Sequence, residues 1–250
     1  MQTPKYDQIS AQYADLLRWG LENSWTHFAI TVHILLEIAA DLKDLRVCDL
    51  GCGEGHLARS LAQHGAIVTG VDLSTKMLAL AKARSAEISN LDYVNDDAQS
   101  LKKLGKASFD LVISNLAFMD IPDLNQTYQA VQRILKPGGR FIFSILHPCF
   151  EAPFQIPESQ VETDTEGNFV ACRVIRYTEE GYWNSGGDGI RGAVGAYHRK
   201  ISTYINGLLD NGFRLQQLHE PTLPPGNYKT PDKQWLSKVP KTLIVDSYKP

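Results

Sequence analysis

One stretch of the sequence constrains the fold more than any other, because a buried strand breaks there into a glycine turn and then opens a helix. The stretch runs from Val47 to Gly55. Twenty-one residues after Gly51, a second apolar strand, Ile67–Asp72, ends on an acid. Glycine lets the backbone approach a ligand closely, and an acid at the tip of the next strand can hold both hydroxyls of a ribose. The pair predicts a site for an adenosine-containing cofactor.

The spacing of the glycines indicates which cofactor. Glycines stand at Gly51, Gly53 and Gly55, and His56 stands where the dinucleotide fingerprint has its third glycine. Asp49 lies two residues before the first glycine, and its carboxylate would repel a pyrophosphate bound at the helix N-terminus. It would suit a cationic amino-acid moiety, such as the ammonium of methionine on a sulfonium cofactor. The glycine turn taken alone is also compatible with a plain structural turn.

Several further motifs follow in a recognisable order. Residues Val47–Asp72 resemble motif I and the following acid of class I S-adenosylmethionine (SAM)-dependent methyltransferases. Three later segments resemble the acid loop after the third strand, the fourth strand, and the turn with the fifth strand: Asn95–Ala98, Phe109–Asn115 and Leu135–Phe143. The resemblance covers roughly residues 46–146, with a weaker similarity at the N-terminus and in the last fifty residues. These motifs are specific for a fold and a cofactor and not for the methyl acceptor.

The resemblance implies a role for each residue of the predicted cofactor site. The glycine backbone approaches the cofactor, Asp72 accepts from the ribose hydroxyls, and Asp97 accepts from the adenine amino group. Leu73 and Met77 pack on the adenine, the Ala98 amide donates to the ring, and Asn115 and Leu116 line the methionine side. The complete predicted set is Tyr13, Asp49, Gly51, Cys52, Gly53, Asp72, Leu73, Met77, Asp97, Ala98, Asn115 and Leu116.

Five of these assignments have alternatives. Asp72 could be a turn residue, although its position at the strand end favours the ribose role. Asp96 competes with Asp97 for the adenine, although an acid followed by a small residue favours Asp97. Tyr13 lies in a segment that resembles the tyrosine-bearing N-terminal motif of small-molecule methyltransferases, so it either closes over the methionine end or merely packs. Met77 is equally compatible with the core. Cys52 is also a small residue suited to packing around the turn.

The residues that act on the acceptor are harder to identify. His147 follows the predicted fifth strand and precedes Pro148, which favours an extended backbone. It is a candidate general base or acceptor-orienting group, or else a polar side chain that stabilises the next segment. His198 is a second candidate, or only the start of a helix. Three arginines either hold a carboxylate or phosphate of the acceptor or lie on a solvated loop face: Arg173, Arg176 and Arg191.

Composition restricts the classes of partner and environment. The net charge of −3 provides no basic excess to neutralise phosphates, so no nucleic-acid partner is expected. The four cysteines, Cys48, Cys52, Cys149 and Cys172, match no zinc pattern, and no metal is expected. With no apolar signal core and no run long enough to span a membrane, a reduced, cytoplasmic setting is the expectation.

Strands and helices alternate from residue 46 to residue 146, which predicts an α/β fold. The predicted strands are Arg46–Leu50, Ile67–Asp72, Leu91–Asn95, Phe109–Ser114, Arg140–Leu146, Phe213–Glu220 and Thr242–Tyr248, and the predicted helices are Gly55–His64, Thr75–Ile88 with Ser74 as its N-cap, Asn125–Leu135 and 198–211. In the second N-terminal helix, the predicted core face consists of Ile30, Ile34, Leu35 and Ile38. Together with the resemblance, this alternation gives a doubly wound, mainly parallel seven-stranded sheet of the Rossmann-like methyltransferase type, with a C-terminal antiparallel hairpin and an inserted lid. A single domain over 1–250 is expected. Its parts are N-terminal helices over the cofactor pocket (1–42), a SAM-binding core (43–146), a substrate lid (147–197) and a C-terminal helix with sheet-closing strands (198–250).

The resulting hypothesis is an enzyme of the methyltransferase class (EC 2.1.1 type). It would pass the methyl of SAM to a small organic acceptor by in-line displacement and leave S-adenosyl-L-homocysteine (SAH). Aromatic residues in the lid favour a partly apolar or aromatic acceptor, and the chain resembles the ubiquinone/menaquinone-biosynthesis methyltransferase group. Residues 114–117 lack the Asn-Pro-Pro-aromatic signature of enzymes that methylate DNA bases or protein glutamine. The alternatives are an NAD-dependent oxidoreductase and a non-catalytic SAM-binding module; the oligomeric state is left open.

Overall fold

A computed structural model describes residues 4–15, 27–150, 161–186, 189–224 and 235–250, with side chains except those of 27–30. The strands of this part are β1 (Arg46–Leu50), β2 (Ile67–Asp72), β3 (Leu91–Asn95), β4 (Phe109–Asn115), β5 (Leu135–Leu146), β6 (Val161–Thr163), β7 (Phe169–Cys172), β8 (Gly181–Trp183), β9 (Ala196–His198), β10 (Arg214–His219) and β11 (Thr242–Tyr248). Seven of them form one sheet in the order β10-β11-β5-β4-β1-β2-β3. Strands β1 to β5 run parallel, and β11 is antiparallel to both β5 and β10. The predicted fold class is confirmed, including the C-terminal antiparallel hairpin.

The helices cover both faces of this sheet. They are α1 (His27–Ala39), α2 (His56–Gln63), α3 (Thr75–Arg84), α4 (Leu124–Ile134), α5 (Ile190–Val194) and α6 (Ile201–Asp210), with short 3₁₀ turns at Lys5–Gln8 and Phe118–Asp120 and helical residues 10–15. Against one face, α4 and α6 pack on a buried aromatic cluster that includes Phe118, Tyr128, Phe141, Phe143 and Tyr204. Against the other, α1 and α2 enclose aliphatic side chains that include Leu35, Leu61 and Ile113. The two cores hold the sheet rigid, so the carboxyl ends of its strands are fixed relative to one another.

Most predicted element boundaries agree with the structure, and the differences have local causes. Strand β5 begins at Leu135 and not at Arg140, because Leu135 pairs with Phe109 before the register shifts. Helix α3 begins after Ser74, whose hydroxyl accepts from the Met77 N–H, as expected of an N-cap. It ends at Arg84, before the predicted end at Ile88. Beyond Arg84, the Ser85 hydroxyl donates to a carbonyl of the last helical turn.

The N-terminal segment and the insertion differ more from the regular core. The helix predicted to use Ile34, Leu35 and Ile38 for packing does so, with Leu35 fully buried, whereas the Ile30 side chain lies outside the described residues. In the insertion, β6 pairs with β7 and β8 with β9, both antiparallel, and α5 connects the second pair. None of the helices in the described ranges has the length and apolar composition that spanning a bilayer requires.

Candidate active site

A cavity of about 410 Å³ lies where β1, β2 and β4 end at the carboxyl edge of the sheet. Parallel α/β sheets bind ligands at this edge. Of the twelve predicted cofactor residues, ten line the cavity: Tyr13, Gly51, Gly53, Asp72, Leu73, Met77, Asp97, Ala98, Asn115 and Leu116. Residues separated by more than a hundred positions in sequence are therefore brought to one surface. Asp49, Cys52, His147 and His198 do not line it.

The glycine turn forms the floor of this cavity. The backbone N–H groups of Gly51 and Cys52 both donate to the Val71 carbonyl, at 2.8 and 3.0 Å. Gly51 has a φ of +73°, and a Cβ added there would lie 2.5 Å from the Cβ of Ala117. Both the conformation and the close approach require glycine. The turn consequently presents bare backbone to the cavity.

Asp72 is held rigidly at the end of β2. Its Oδ2 accepts from the Gly53 N–H at 2.8 Å, and its Oδ1 accepts from the Ser74 N–H at 2.8 Å. Burial raises the pKa of Asp72, and the two N–H donors oppose that rise. Because each carboxylate oxygen has a second lone pair, the group can still accept from a ligand in the cavity.

Asp96 and Asp97 both line the cavity, but they are engaged differently. The two oxygens of Asp96 accept from the backbone N–H groups of Asp97 (2.9 Å) and Lys103 (2.7 Å). Asp97 Oδ1 accepts from the Gln99 N–H at 2.9 Å, whereas among the described residues its Oδ2 accepts only from the Gln99 side-chain amide, at 3.2 Å. A side-chain amide can rotate away at less cost than a backbone group, so Asp97 has the more available acceptor.

The end of β4 is fixed by Ser144 on the neighbouring strand, a contact that the sequence did not predict. The Ser144 hydroxyl donates to Asn115 Oδ1 at 2.7 Å, and the Leu116 N–H donates to the carbonyl of Ser144 at 3.1 Å. Leu116 has a φ of +53°, which is rare for a residue with a branched side chain. Strained backbone of this kind is frequent at ligand sites, where surrounding contacts hold it in place.

Asp49 and Cys52 lie beneath the cavity surface. Asp49 is 1% exposed, and its Oδ2 has no hydrogen-bond partner among the described residues. Burial and the nearby Asp72 charge raise the pKa of Asp49 to about 8, against the opposing N–H of Ala58. The Cys52 sulfur packs toward β2, since a Cβ on Gly70 would lie 3.0 Å from it. Cys52 therefore fits the packing interpretation better than direct contact with a cofactor.

Neither predicted catalytic histidine lines the cavity. His147 is 2% exposed; its Nε2 lies 2.8 Å from Glu220 Oε1 and its Nδ1 accepts from the Cys149 N–H at 3.2 Å. Burial lowers the pKa of His147, against the opposing hydrogen bond with Glu220. His198 is also buried, and its Nε2 lies 2.9 Å from the Tyr177 carbonyl. Both rings are engaged outside the cavity, and a role for either histidine as a base stays a prediction.

The cavity contains instead an acid that the sequence analysis did not single out. Asp120, in the turn after β4, accepts from the Tyr6 hydroxyl at 2.8 Å and pairs with the Arg191 guanidinium. Burial raises the pKa of Asp120, and the charge of Arg191 opposes this rise. Arg191 is thus committed to Asp120, whereas Arg173 and Arg176 pair with glutamates on the surface. No local pattern marks Asp120; only its position just beyond the fourth strand could have suggested it.

Two segments that are far apart in sequence line the cavity and contact each other. The Asp7 carboxylate accepts from the Ser74 hydroxyl and from the Lys76 N–H at the start of α3, the latter at 3.3 Å. From the same 3₁₀ turn, Lys5 Nζ donates to the Tyr182 hydroxyl in β8 at 2.7 Å. The Tyr6 and Tyr13 rings meet edge to face with centroids 5.3 Å apart. Residues 4–15 therefore meet residues 181–186 and 189–197 of the insertion at the cavity, and these two segments together are called the cover below.

Comparisons with known proteins agree with this geometry. A family described as a methyltransferase domain matches residues 48–143. A SAM-dependent methyltransferase of Mesorhizobium loti with a known crystal structure is 30% identical with a TM-score of 0.76, over 91% of this chain and 100% of that chain. An uncharacterized protein of Haemophilus influenzae is 29% identical over 220 residues, 86% of this chain and 85% of its own length.

A curated ubiquinone biosynthesis O-methyltransferase of Saccharophagus degradans is 32% identical over 151 residues, which are 57% of this chain and 60% of that enzyme. The match therefore extends over less than two thirds of that relative. One assignment follows from three observations. These are the sequence similarity, the strand order of the sheet, and a cavity whose floor is a glycine turn beside Asp72 at the end of β2. The chain belongs to the class I SAM-dependent methyltransferases, and its cofactor is SAM.

Proposed function

We propose that this protein transfers the methyl group of SAM to a small organic acceptor by in-line displacement. The observation that carries the proposal is a continuous cavity in which the strand-end residues Asp72 and Asn115 share a surface with Tyr6, Asp120 and Tyr197. One cavity can thus take the cofactor and an acceptor side by side. The bound cofactor supplies a methyl group already activated by the positive charge on sulfur. The protein then needs to orient the acceptor and exclude water, and orientation alone can contribute about 7–11 kcal/mol.

The residues around the floor fit SAM. Only bare backbone can occupy position 51, where a Cβ would lie 2.5 Å from that of Ala117. Beneath the turn, Asp49 has a buried oxygen with no hydrogen-bond partner among the described residues, and the positive charge of a bound cofactor would favour the ionised form of this carboxyl group. In this proposal, Asp72 accepts from the ribose and Asp97 from the adenine amino group. The remaining contacts would come from Tyr13, Gly53, Leu73, Met77, Ala98, Asn115 and Leu116.

The residues above the floor fit an acceptor that loses a proton on methylation. Burial holds the pKa of Tyr6 well above 10, so this hydroxyl stays protonated and donates to Asp120. A proton from the acceptor can pass to Asp120 Oδ2, either directly or through the Tyr6 oxygen. Arg191 keeps the carboxylate ionised before the transfer and fixes its orientation. His147 and His198 take no part in this scheme.

The experiment that tests the proposal has two stages. Thermal unfolding is measured with saturating SAM, SAH or NADH, since a ligand at about 100 times its dissociation constant adds about 2.7 kcal/mol of stability. We expect SAM and SAH to raise the melting temperature and NADH to leave it unchanged; a shift with NADH alone would contradict the cofactor assignment.

Transfer of labelled methyl is then screened over phenols, aromatic acids and amines. Because the Saccharophagus relative is named an O-methyltransferase, hydroxyl acceptors come first. Tight SAM binding without transfer to any acceptor would indicate a non-catalytic SAM-binding module.

A further inference from the structure

The charges in the cavity are unevenly distributed. Three acids line the side proposed for the ribose and adenine: Asp72 is the last residue of β2, and Asp96 and Asp97 follow β3. On the opposite side, the charge of Asp120 is offset by its ion pair with Arg191. Lys5 lines this same side. Since the pair is neutral as a whole, Lys5 leaves the acceptor side with a net positive charge.

The ammonium group of Lys5 is held in place but keeps binding capacity. It donates to the Tyr182 hydroxyl at 2.7 Å and to the Val194 carbonyl at 3.1 Å. Both acceptors are neutral, and although the charge of Lys5 also acts on Asp120, the ion pair of that carboxylate is with Arg191. An ammonium has three donors, so one donor and the full charge remain for a ligand. The two existing bonds hold the ammonium at the cavity without neutralising it.

The surroundings of Lys5 are planar and apolar. The rings of Tyr182 and Tyr197 meet edge to face with centroids 5.4 Å apart, and both line the cavity. Lys5 Nζ lies over the Tyr182 ring, 3.9 Å from its centroid, and Tyr182 is 46% exposed, so the rest of the ring has surface left for contact beside the ammonium. Val194 and Ala196 complete this wall. A flat, apolar ligand could pack here while an anionic substituent meets the ammonium.

We propose that the methyl acceptor is an aromatic or similarly planar acid, whose anionic group binds Lys5 and whose body packs against Tyr182 and Tyr197. The proposal rests on the proposed function, since it names the substrate class of the same cavity. An amine acceptor would meet the charge of Lys5 without a counter-charge, because Asp120 is already paired. Lys5 thereby selects acceptors with a negative charge. Asp120 and Tyr6 take the proton from the group that is methylated.

The test compares three probes of the same shape: trans-cinnamate, cinnamamide and cinnamylamine. SAH binding is measured first by calorimetry, and its absence would refute the proposed function and not this inference. Each probe is then titrated into the protein–SAH complex and followed by ligand-observed NMR. We expect cinnamate to bind at least about fivefold more tightly than the amide, with cinnamylamine weakest, and raised ionic strength to reduce only the cinnamate affinity.

Three variants identify the group responsible. Lys5→Gln should remove the preference for the acid, measured as the ratio of acid to amide affinity in the SAH complex of that variant, and Lys5→Arg should retain it. Lys43→Gln is the matched control, because Lys43 is exposed beside the amino end of β1, at the opposite edge of the sheet. A preference that survives Lys5→Gln, equal binding of acid and amide, tighter binding of the amine, or binding of none of the probes would each overturn the inference.

Discussion

Asp72 joins the glycine turn and the start of α3 through one carboxylate, and it is the residue on which cofactor affinity should depend most. In Asp72→Asn, one oxygen becomes an N–H₂ group that faces a backbone N–H and can no longer accept from a ribose hydroxyl. Loss of a hydrogen bond to a charged group, at about 1.5–3 kcal/mol, predicts a roughly 10- to 100-fold weaker SAH affinity by calorimetry. Asp92→Asn, on the exposed side of β3, is the control. Equal affinities of the two variants would refute the ribose assignment.

Asp49 should make the stability of the ligand-free protein depend on pH. Its pKa is about 8 in the folded chain, against about 4 for an unperturbed aspartate. Between these values the folded state binds a proton that the unfolded state has released, so stability falls as pH rises through that window. Asp49→Asn removes this dependence. Denaturant unfolding should find the variant roughly 1–3 kcal/mol more stable than the parent near pH 9 and about equal to it near pH 5. An unchanged pH slope would mean that Asp49 is charged in the folded protein.

Arg199 connects the start of α6 to the turn that carries Asp120. Its substitution should therefore change how two structural elements are held together, and not only one side-chain contact. The guanidinium is buried and donates to the carbonyls of Phe118, Ile121 and Pro122. Arg199→Met leaves these carbonyls without their donor. We expect unfolding to become easier by about 2–4 kcal/mol, and methyl transfer to fall because the Asp120 turn loosens. Arg173→Met, which breaks an exposed pair with Glu162, should cost less than about 1 kcal/mol. Similar losses in the two variants would refute this bracing role.

Some of the structural elements could be predicted from the sequence, and others could not. Strands β1, β2, β3 and β11 begin and end at the predicted residues, because each is a short, mostly apolar run bounded by turn residues. The short elements β6 to β9 and α5 were not predicted individually, since three to five residues are too few to establish a period. The residues on the cofactor side of the cavity could be predicted because most of them lie at or just after the end of a strand, where a short local motif marks them. The pair of Asp120 and Arg191 spans 71 positions, and only the folding of the insertion brings it together.

Across the whole molecule, access to the cofactor should be controlled by two segments that are far apart in the sequence. Lys5 and Tyr182 are separated by 177 positions and meet above the cavity. The N-terminal turn is anchored at the other end by Asp7, which is buried against the start of α3. A cover held by a few polar contacts can open without unfolding either core. SAH beneath it should therefore slow amide exchange in residues 4–15 and 181–197 more than in β1 or β4.

Asp7→Asn tests whether this cover limits release of the ligand. The amide keeps one oxygen as an acceptor but loses the charge that favours binding at a helix N-terminus. If opening of the cover precedes release, SAH should dissociate several-fold faster while its association rate changes little, because most affinity changes at one interface appear in dissociation. Stopped-flow displacement of SAH measures both rates, and the variant should lose exchange protection in residues 4–15. Asp41→Asn, exposed between α1 and β1, is the control. Unchanged dissociation with unchanged protection would mean that the N-terminal turn rests on the site without closing it.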